Sequence, residues 1–230
     1  MKMTNESFSS GGQTVPMEVF LPAASGKHPA VLVLHGSSGP LPPYRADIVS
    51  FAEALVAAGI AATMPHYLDS TKPKTKPGKD DLKLILERCP TFRQACSDAL
   101  TLMANDARFD ATRLGILGFS LGGNLALSLA MDPPAGIKLK CVVDFFGPTQ
   151  LLENHWSKLP PVLICHGTKD PLVDLSVSVN LVAQLEKAGK KKGFDYIFEP
   201  ELYKGEGHGF KDPALTKSRD ETVKFITKIL

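Results

Sequence analysis

The chain predicts an α/β architecture, a mostly parallel central sheet flanked by helices on both faces, and three observations carry that expectation. Apolar runs bounded by turn residues alternate with helical periods, as strands joined by crossover helices do. One run, Leu114 to Leu117, leads directly into Gly118-Phe119-Ser120-Leu121-Gly122-Gly123 and then a helical period, a strand-turn-helix sequence. A length of 230 residues with 43% hydrophobic content suffices for one well-buried core, so residues 1–230 are expected to form a single domain.

The elements follow in order. After a polar, Ser/Gly-rich stretch from Met1 to Val15, strands are expected at Met17 to Leu21 and Ala30 to Leu34. The segment Ala46 to Ala58 places Ile48, Phe51, Leu55 and Val56 on one helical face, and Gly59 reads as its stop signal. A strand at Ala61 to Met64 is followed by Ser70 to Asp81, whose Lys72, Pro73, Lys74, Lys76, Pro77, Gly78 and Lys79 are too polar and proline-rich for a core. This stretch reads as an exposed, mobile, solvated loop near the rim of the site, with a lid or entry role as the alternative. Pro90 reads as a helix break, placing the next helix at Thr91 to Asn105. Then come the strand Leu114 to Leu117, a helix at Gly123 to Met131, and strands at Cys141 to Phe145 and Val162 to Cys165. A helix at Ser176 to Ala188, a strand at Tyr196 to Phe198, and a helix from Ser218 to Leu230 with Val223, Ile226 and Leu230 facing inward complete the chain.

Composition excludes several partners. A net charge of +2 from 26 basic and 24 acidic residues gives no global attraction to nucleic acid or an anionic membrane. Met1 to Val15 lacks the apolar region of a signal peptide, and no run approaches the ~18 to 20 apolar residues of a membrane span. The expectation is a cytoplasmic enzyme. Cys89, Cys96, Cys141 and Cys165 lack zinc spacing and read as small buried hydrophobes in a reducing compartment, with Cys89 and Cys96 on either side of the Pro90 break.

The chemistry concentrates at G-x-S-x-G. Glycines flank Ser120 because a sharp turn brings strand and helix backbones together, which leaves the hydroxyl exposed at the strand's C-terminal end. A serine hydroxyl is a poor nucleophile at neutral pH, so it needs a histidine to take its proton and a carboxylate to orient that histidine. Asp170 fits as the acid, since it lies on the loop leaving the strand Val162 to Cys165 at the same sheet edge; Asp174 is its nearest competitor. Of the six histidines only His208, in Gly205-Glu206-Gly207-His208-Gly209-Phe210, is downstream of Asp170, and Phe210 can anchor its loop in the core. His35 and His166 each end a strand and raise the question of a two-histidine metal site. No carboxylate or cysteine at ligand spacing accompanies them, so hydrogen bonding near the site is the expectation for both and for His66, with no metal and no cofactor. Backbone N–H groups of Leu121, at the helix start, and Ser37, in the loop His35 to Pro40, are the candidate oxyanion donors.

Together these landmarks, with Phe145-Phe146-Gly147 after a strand, make the chain similar to the dienelactone hydrolase family of the α/β-hydrolases along nearly its whole length. The resemblance implies the α/β-hydrolase fold, with Gly118 to Gly123 as its nucleophile elbow. Two departures mark this chain as a serine-nucleophile variant. The family's type enzyme has a cysteine at the place of Ser120 and an activating glutamate at the place of Gly36, so direct deprotonation of Ser120 by His208 is expected. That enzyme also holds a substrate carboxylate with arginines, one of them four residues after the histidine, where this chain has Asp212, with Lys211 offset by one.

The expected activity is hydrolysis of small to medium carboxylic esters or lactones through a Ser-His-Asp triad and an acyl-enzyme. Short connections leave no room for a large cap domain. Tyr67, Phe119, Phe146 and Trp156 are candidate walls of a fairly open site. The alternatives are a non-catalytic ligand-binding protein of the same fold, or a peptidase or acyltransferase using the same triad.

Overall fold

A computed structural model of the protein describes residues 1–77, 79, 81–149, 152 and 155–230, with the backbone alone at 200 and 201. Among the described residues, eight strands form one sheet, in the order β1 (Lys2–Ser10), β2 (Gln13–Leu21), β4 (Ala61–Pro65), β3 (His28–Leu34), β5 (Phe109–Phe119), β6 (Leu139–Phe145), β7 (Val162–Cys165) and β8 (Tyr196–Phe198). β1 pairs with β2, and β2 with β4, antiparallel; every other pairing from β3 to β8 is parallel. This is the expected α/β-hydrolase-like architecture, and no large cap interrupts it among the described residues.

The central strands are buried on both faces, which requires helices on either side. α1 (Arg45–Ala57) and α5 (Ala214–Ile229) cover one face, where Phe51, Leu55 and Ile226 pack against Val31, Val33 and Val143. α2 (Leu82–Asn105), α3 (Leu121–Met131) and α4 (Ser176–Lys187) cover the other, packing Phe92, Leu125 and Leu181 into a cluster with Leu32, Leu34 and Ile164. The inward face of α5 also presents Thr222 and Phe225, both buried.

Three expectations are corrected. The polar N-terminus is β1, an edge strand whose largely exposed residues gave no apolar signal. It is set by the Gly11-Gly12 turn, with φ of 54° and 74°, which pairs Ser10 with Gln13 in a two-residue hairpin. Pro90 does not break a helix: α2 starts at Leu82, capped by Asp81 accepting the Leu84 N–H at 2.8 Å, and runs through it. Proline removes one N–H, and Pro90 and Leu86, whose carbonyl loses that donor, both lie on the exposed side, where water can replace the bond. The stretch Ser70 to Asp81 keeps its lysines exposed but is tied down inside, with Thr71 and Thr75 buried and their hydroxyls hydrogen-bonded at 2.9 Å. Gly78 and Asp80 of that stretch lie outside the described residues. All four cysteines are free thiols; Cys96, Cys141 and Cys165 are buried and Cys89 partly so.

Candidate active site

Parallel pairing of β3, β5, β6 and β7 brings their C-terminal ends to one edge in register, with Leu34 beside Gly118, and Phe145 beside both Phe119 and Cys165. The loops that follow therefore meet there. Ser120 leaves β5 with φ 55° and ψ −119°, strained for a serine. Its N–H donates to the Phe145 carbonyl at 2.9 Å, and Phe146 in turn donates to Cys165 at 2.9 Å. The flanking glycines are dictated by backbone contact: a Cβ on Gly118 would stand 2.0 Å from the Gly122 oxygen, and one on Gly122 would stand 2.2 Å from the Leu34 oxygen.

The structure brings Ser120, His208 and Asp170 into one hydrogen-bonded chain. The Ser120 hydroxyl donates to His208 Nε2 at 2.8 Å, and His208 Nδ1–H donates to Asp170 Oδ2 at 2.7 Å. The other carboxylate oxygen of Asp170 accepts the N–H groups of Leu172 and Val173 at 2.8 and 2.9 Å, which fixes its orientation. Asp174 takes a different task, accepting the Ser176 N–H at 2.8 Å at the start of α4. Phe210 is buried and stacks on Tyr203 at 4.6 Å, holding the His208 loop to the core. An imidazole in this position can accept a hydroxyl proton at one nitrogen while the carboxylate supports the charge that develops.

The candidate oxyanion donors flank the serine. Leu121 opens α3, so its N–H has no acceptor within the helix and lies at the positive end of the dipole. Ser37 is the second residue of a turn closed by the Gly39 N–H on the Gly36 carbonyl at 3.0 Å. Both residues line the same cavity as Ser120 and His208, a cleft of about 780 Å³.

Of the four aromatic wall candidates, two line this cavity and two do not. Phe119 and Phe146 line it, and Phe146, at φ 44°, places its ring 4.5 Å from the His208 imidazole. Tyr67 is fully buried instead, stacked on His35 at 4.3 Å with its hydroxyl donating to the His35 carbonyl. Trp156 packs in the core beside Leu159, on a short 3-10 turn (Trp156–Lys158) against α3 and α4. Sequence reasoning missed most of the apolar lining, including Tyr44, Ile48, Phe51, Ile85, Val173 and Val177. Periodicity marked some of these as core-facing, and nothing local shows that the first turn of a helix ends over a cavity.

Three other histidines hold structural bonds. His166 donates from Nε2 to the Val173 carbonyl at 2.8 Å and accepts the Ser178 hydroxyl at Nδ1 at 2.7 Å; burial lowers its pKa. His35 donates from Nδ1 to the Gly36 carbonyl at 2.8 Å, and burial pushes its pKa down to about 3. His66 donates to Glu18 at 2.9 Å. Among the described residues, no group of three His, Cys, Asp or Glu side chains is arranged to hold a metal ion.

One further group was missed. Asp144, fully buried in β6, accepts the Gly147 N–H at 3.0 Å, while its Oδ2 has no hydrogen-bond partner among the described residues. Burial pushes its carboxyl up to about 7, against the smaller opposing effect of the Gly147 bond. An aspartate inside the apolar run Cys141 to Phe145 is the signal that could have flagged it.

The comparisons with known proteins agree with this architecture. The sequence profile of the dienelactone hydrolase family matches residues 16–224. The chain is 27% identical over 207 residues, 83% of its own length and 77% of the relative's, to a protein of Bradyrhizobium sp. named as a probable 2-oxo-3-(5-oxofuran-2-ylidene)propanoate lactonase. Among solved structures it superposes on a dienelactone hydrolase from Anabaena variabilis ATCC 29413 with a TM-score of 0.74, at 19% identity, covering 100% of this chain and 98% of that one. It matches the dienelactone hydrolase-like promiscuous phosphotriesterase P91 from metagenomic libraries with a TM-score of 0.78, at 18% identity, covering 99% and 98%. Among the described residues, no helix is long and apolar enough to cross a membrane.

Proposed function

The chain belongs to the dienelactone hydrolase family and is a hydrolase of esters or lactones, and from that premise we propose that it cleaves small to medium carboxylic esters or lactones as a serine hydrolase. The observation that carries this reading is the hydrogen-bonded chain from Ser120 through His208 to Asp170 at an open cavity. Ser120 Oγ attacks the carbonyl carbon as His208 takes the hydroxyl proton. Asp170 holds the imidazole with Nδ1–H toward itself, leaving Nε2 free to accept. The tetrahedral oxyanion is held by the Leu121 and Ser37 N–H groups. His208 returns its proton to the departing alcohol oxygen, and the C–O bond breaks to leave an acyl-Ser120. Water, deprotonated by His208, then attacks the acyl carbon and releases the acid with Ser120 restored.

Gly36 supports a plain serine mechanism. A Cβ there would lie 4.0 Å from Ser120 Oγ, so this position adjoins the nucleophile and carries no side chain to activate it. One sheet joining strands from Lys2 to Phe198 supports reading residues 1–230 as a single domain. The four free thiols suit a reducing, cytoplasmic compartment.

A fluorophosphonate probe tests the assignment without a guess at substrate. Stoichiometric labelling of the folded protein at Ser120, mapped by mass spectrometry and lost on mild unfolding, is the expected result. Folded protein with an accessible site that takes no label would favour a ligand-binding protein of this fold.

A further inference from the structure

Four large apolar side chains that the protein leaves exposed gather at the cavity holding Ser120 and His208. Tyr44, Leu82, Leu86 and Leu172 are 46%, 71%, 37% and 74% exposed, and all four line it. They arrive from separate parts of the chain: the residue before α1, the first two turns of α2, and the loop that leads from Asp170 to α4. Scattered exposed leucines need no explanation, but exposed apolar groups converging on a concave site mark a surface that a ligand covers. Behind them Ile48, Phe51, Ile85 and Val177, all buried, carry the apolar lining inward.

The charge of the lining has one sign. Among the described residues the ionisable groups that line the cavity are Asp47, Asp174, His208 and the phenol of Tyr44, with no lysine or arginine. Asp47 stands on α1, over one face of the sheet, and Asp174 precedes α4, over the other. The lining that a substrate on Ser120 meets thus carries carboxylates and no lysine or arginine.

We propose that this site selects uncharged esters or lactones bearing an extended apolar group, and discriminates against those carrying a carboxylate. The proposal rests on the hydrolase reading of Ser120 and states which members of that class it takes. An apolar chain passing the rim covers Leu82, Leu86 and Leu172, and each methylene buried there strengthens binding about fourfold. An anionic group in the same place loses water, meets Asp47 or Asp174, and gains no partner.

The test compares kcat/KM of the full-length protein on the p-nitrophenyl esters of acetate, butyrate and octanoate, and on p-nitrophenyl glutarate, whose chain ends in a free carboxylate. Octanoate is expected to exceed acetate by roughly tenfold or more. The glutarate ester is expected to fall about tenfold or more below butyrate, with the gap narrowing at high salt. Leu82→Ala and Leu172→Ala should reduce the octanoate-to-acetate ratio, and Asp47→Asn and Asp174→Asn the butyrate-to-glutarate ratio; such ratios survive differences in the folded fraction. Acetate turnover that requires Ser120, together with flat chain-length dependence or equal use of the glutarate ester, would overturn this proposal and leave the hydrolase reading standing. No turnover of any ester and no fluorophosphonate labelling would overturn both.

Discussion

Asp170 and His208 meet at 2.7 Å because the loops that carry them are tied together before either side chain is considered. The Lys169 N–H donates to the Glu206 carbonyl at 2.9 Å, the Thr168 N–H to the Tyr203 carbonyl at 3.2 Å, and the Gly205 N–H to the Thr168 hydroxyl at 2.9 Å. A Cβ on Gly167 would come within 2.4 Å of the Glu206 oxygen, so the two backbones are in contact. The placing of the proposed acid and base thus rests largely on main chain, and it sets the geometry in which Ser120 meets His208.

Ser120→Ala and His208→Ala should each lower kcat by about 10⁴ to 10⁶, and the double variant should lose little more, as groups acting in one step do. Asp170→Asn should cost about 10⁴, because an amide cannot hold the imidazole in the same tautomer as well. Steady-state kinetics on a small activated ester measures all four. Small, additive losses would reject the triad.

Gly122→Ala should destabilise the protein by more than about 3 kcal/mol or leave it insoluble, since its Cβ would collide with the carbonyls of Leu34 and His35, and backbone cannot rotate away. Gly36→Ala should fold normally, its nearest contact being ordinary at 3.4 Å from Ser120 Cβ. Thermal unfolding of the pair, side by side, separates steric necessity from a mere preference for glycine.

Asp144 predicts a pH dependence. Its carboxyl titrates near 3.8 when free and near 7 in the fold, so between those values the folded chain holds a proton that the unfolded chain has released. Stability contributed this way is complete below the lower value and is lost as pH rises through the upper one, by up to about 4 kcal/mol. Asp144→Asn, which cannot ionise, should flatten the decline, as read from urea unfolding across the same range. Parallel profiles for the two proteins would show that the fold does not raise the Asp144 carboxyl.

Glu18 predicts the opposite sign. Burial alone would raise its carboxyl, but hydrogen bonds from His66 and Arg45 outweigh burial and hold it down to about 2, against 4.5 when free. Arg45 meets both oxygens, at 2.6 and 2.7 Å. This contribution is present above the free value and is lost as pH falls through the folded one. Glu18→Gln should cost about 2 kcal/mol at neutral pH and shallow the acid-side loss. An acid unfolding profile identical to that of the unaltered protein would place the pair among contacts without energetic weight.

The parallel strands could be read because burial on both faces forces continuous apolar runs, and Tyr196–Phe198 and Val162–Cys165 fall where those runs do. β1 could not: one of its faces is exposed and the other, through Thr4, Glu6 and Phe8, only half-buried, so it carries no continuous apolar run. The Pro90 misreading has a similar origin, since the cost of a proline in a helix depends on whether solvent reaches the carbonyl it strands, and exposure is not a local property of sequence.

By itself, the sequence determined the strand-turn-helix that must carry Ser120 and the order of serine, aspartate and histidine, because glycine spacing and apolar runs impose local backbone geometry. Only the tertiary structure decided what those residues meet. It joined Ser120, His208 and Asp170 into one hydrogen-bonded chain, withdrew Tyr67 and Trp156 into the core, and gathered Tyr44, Leu82 and Leu172 around the cavity. Such contacts join residues far apart in the chain, and they are set by how the crossovers return each loop to a common sheet edge.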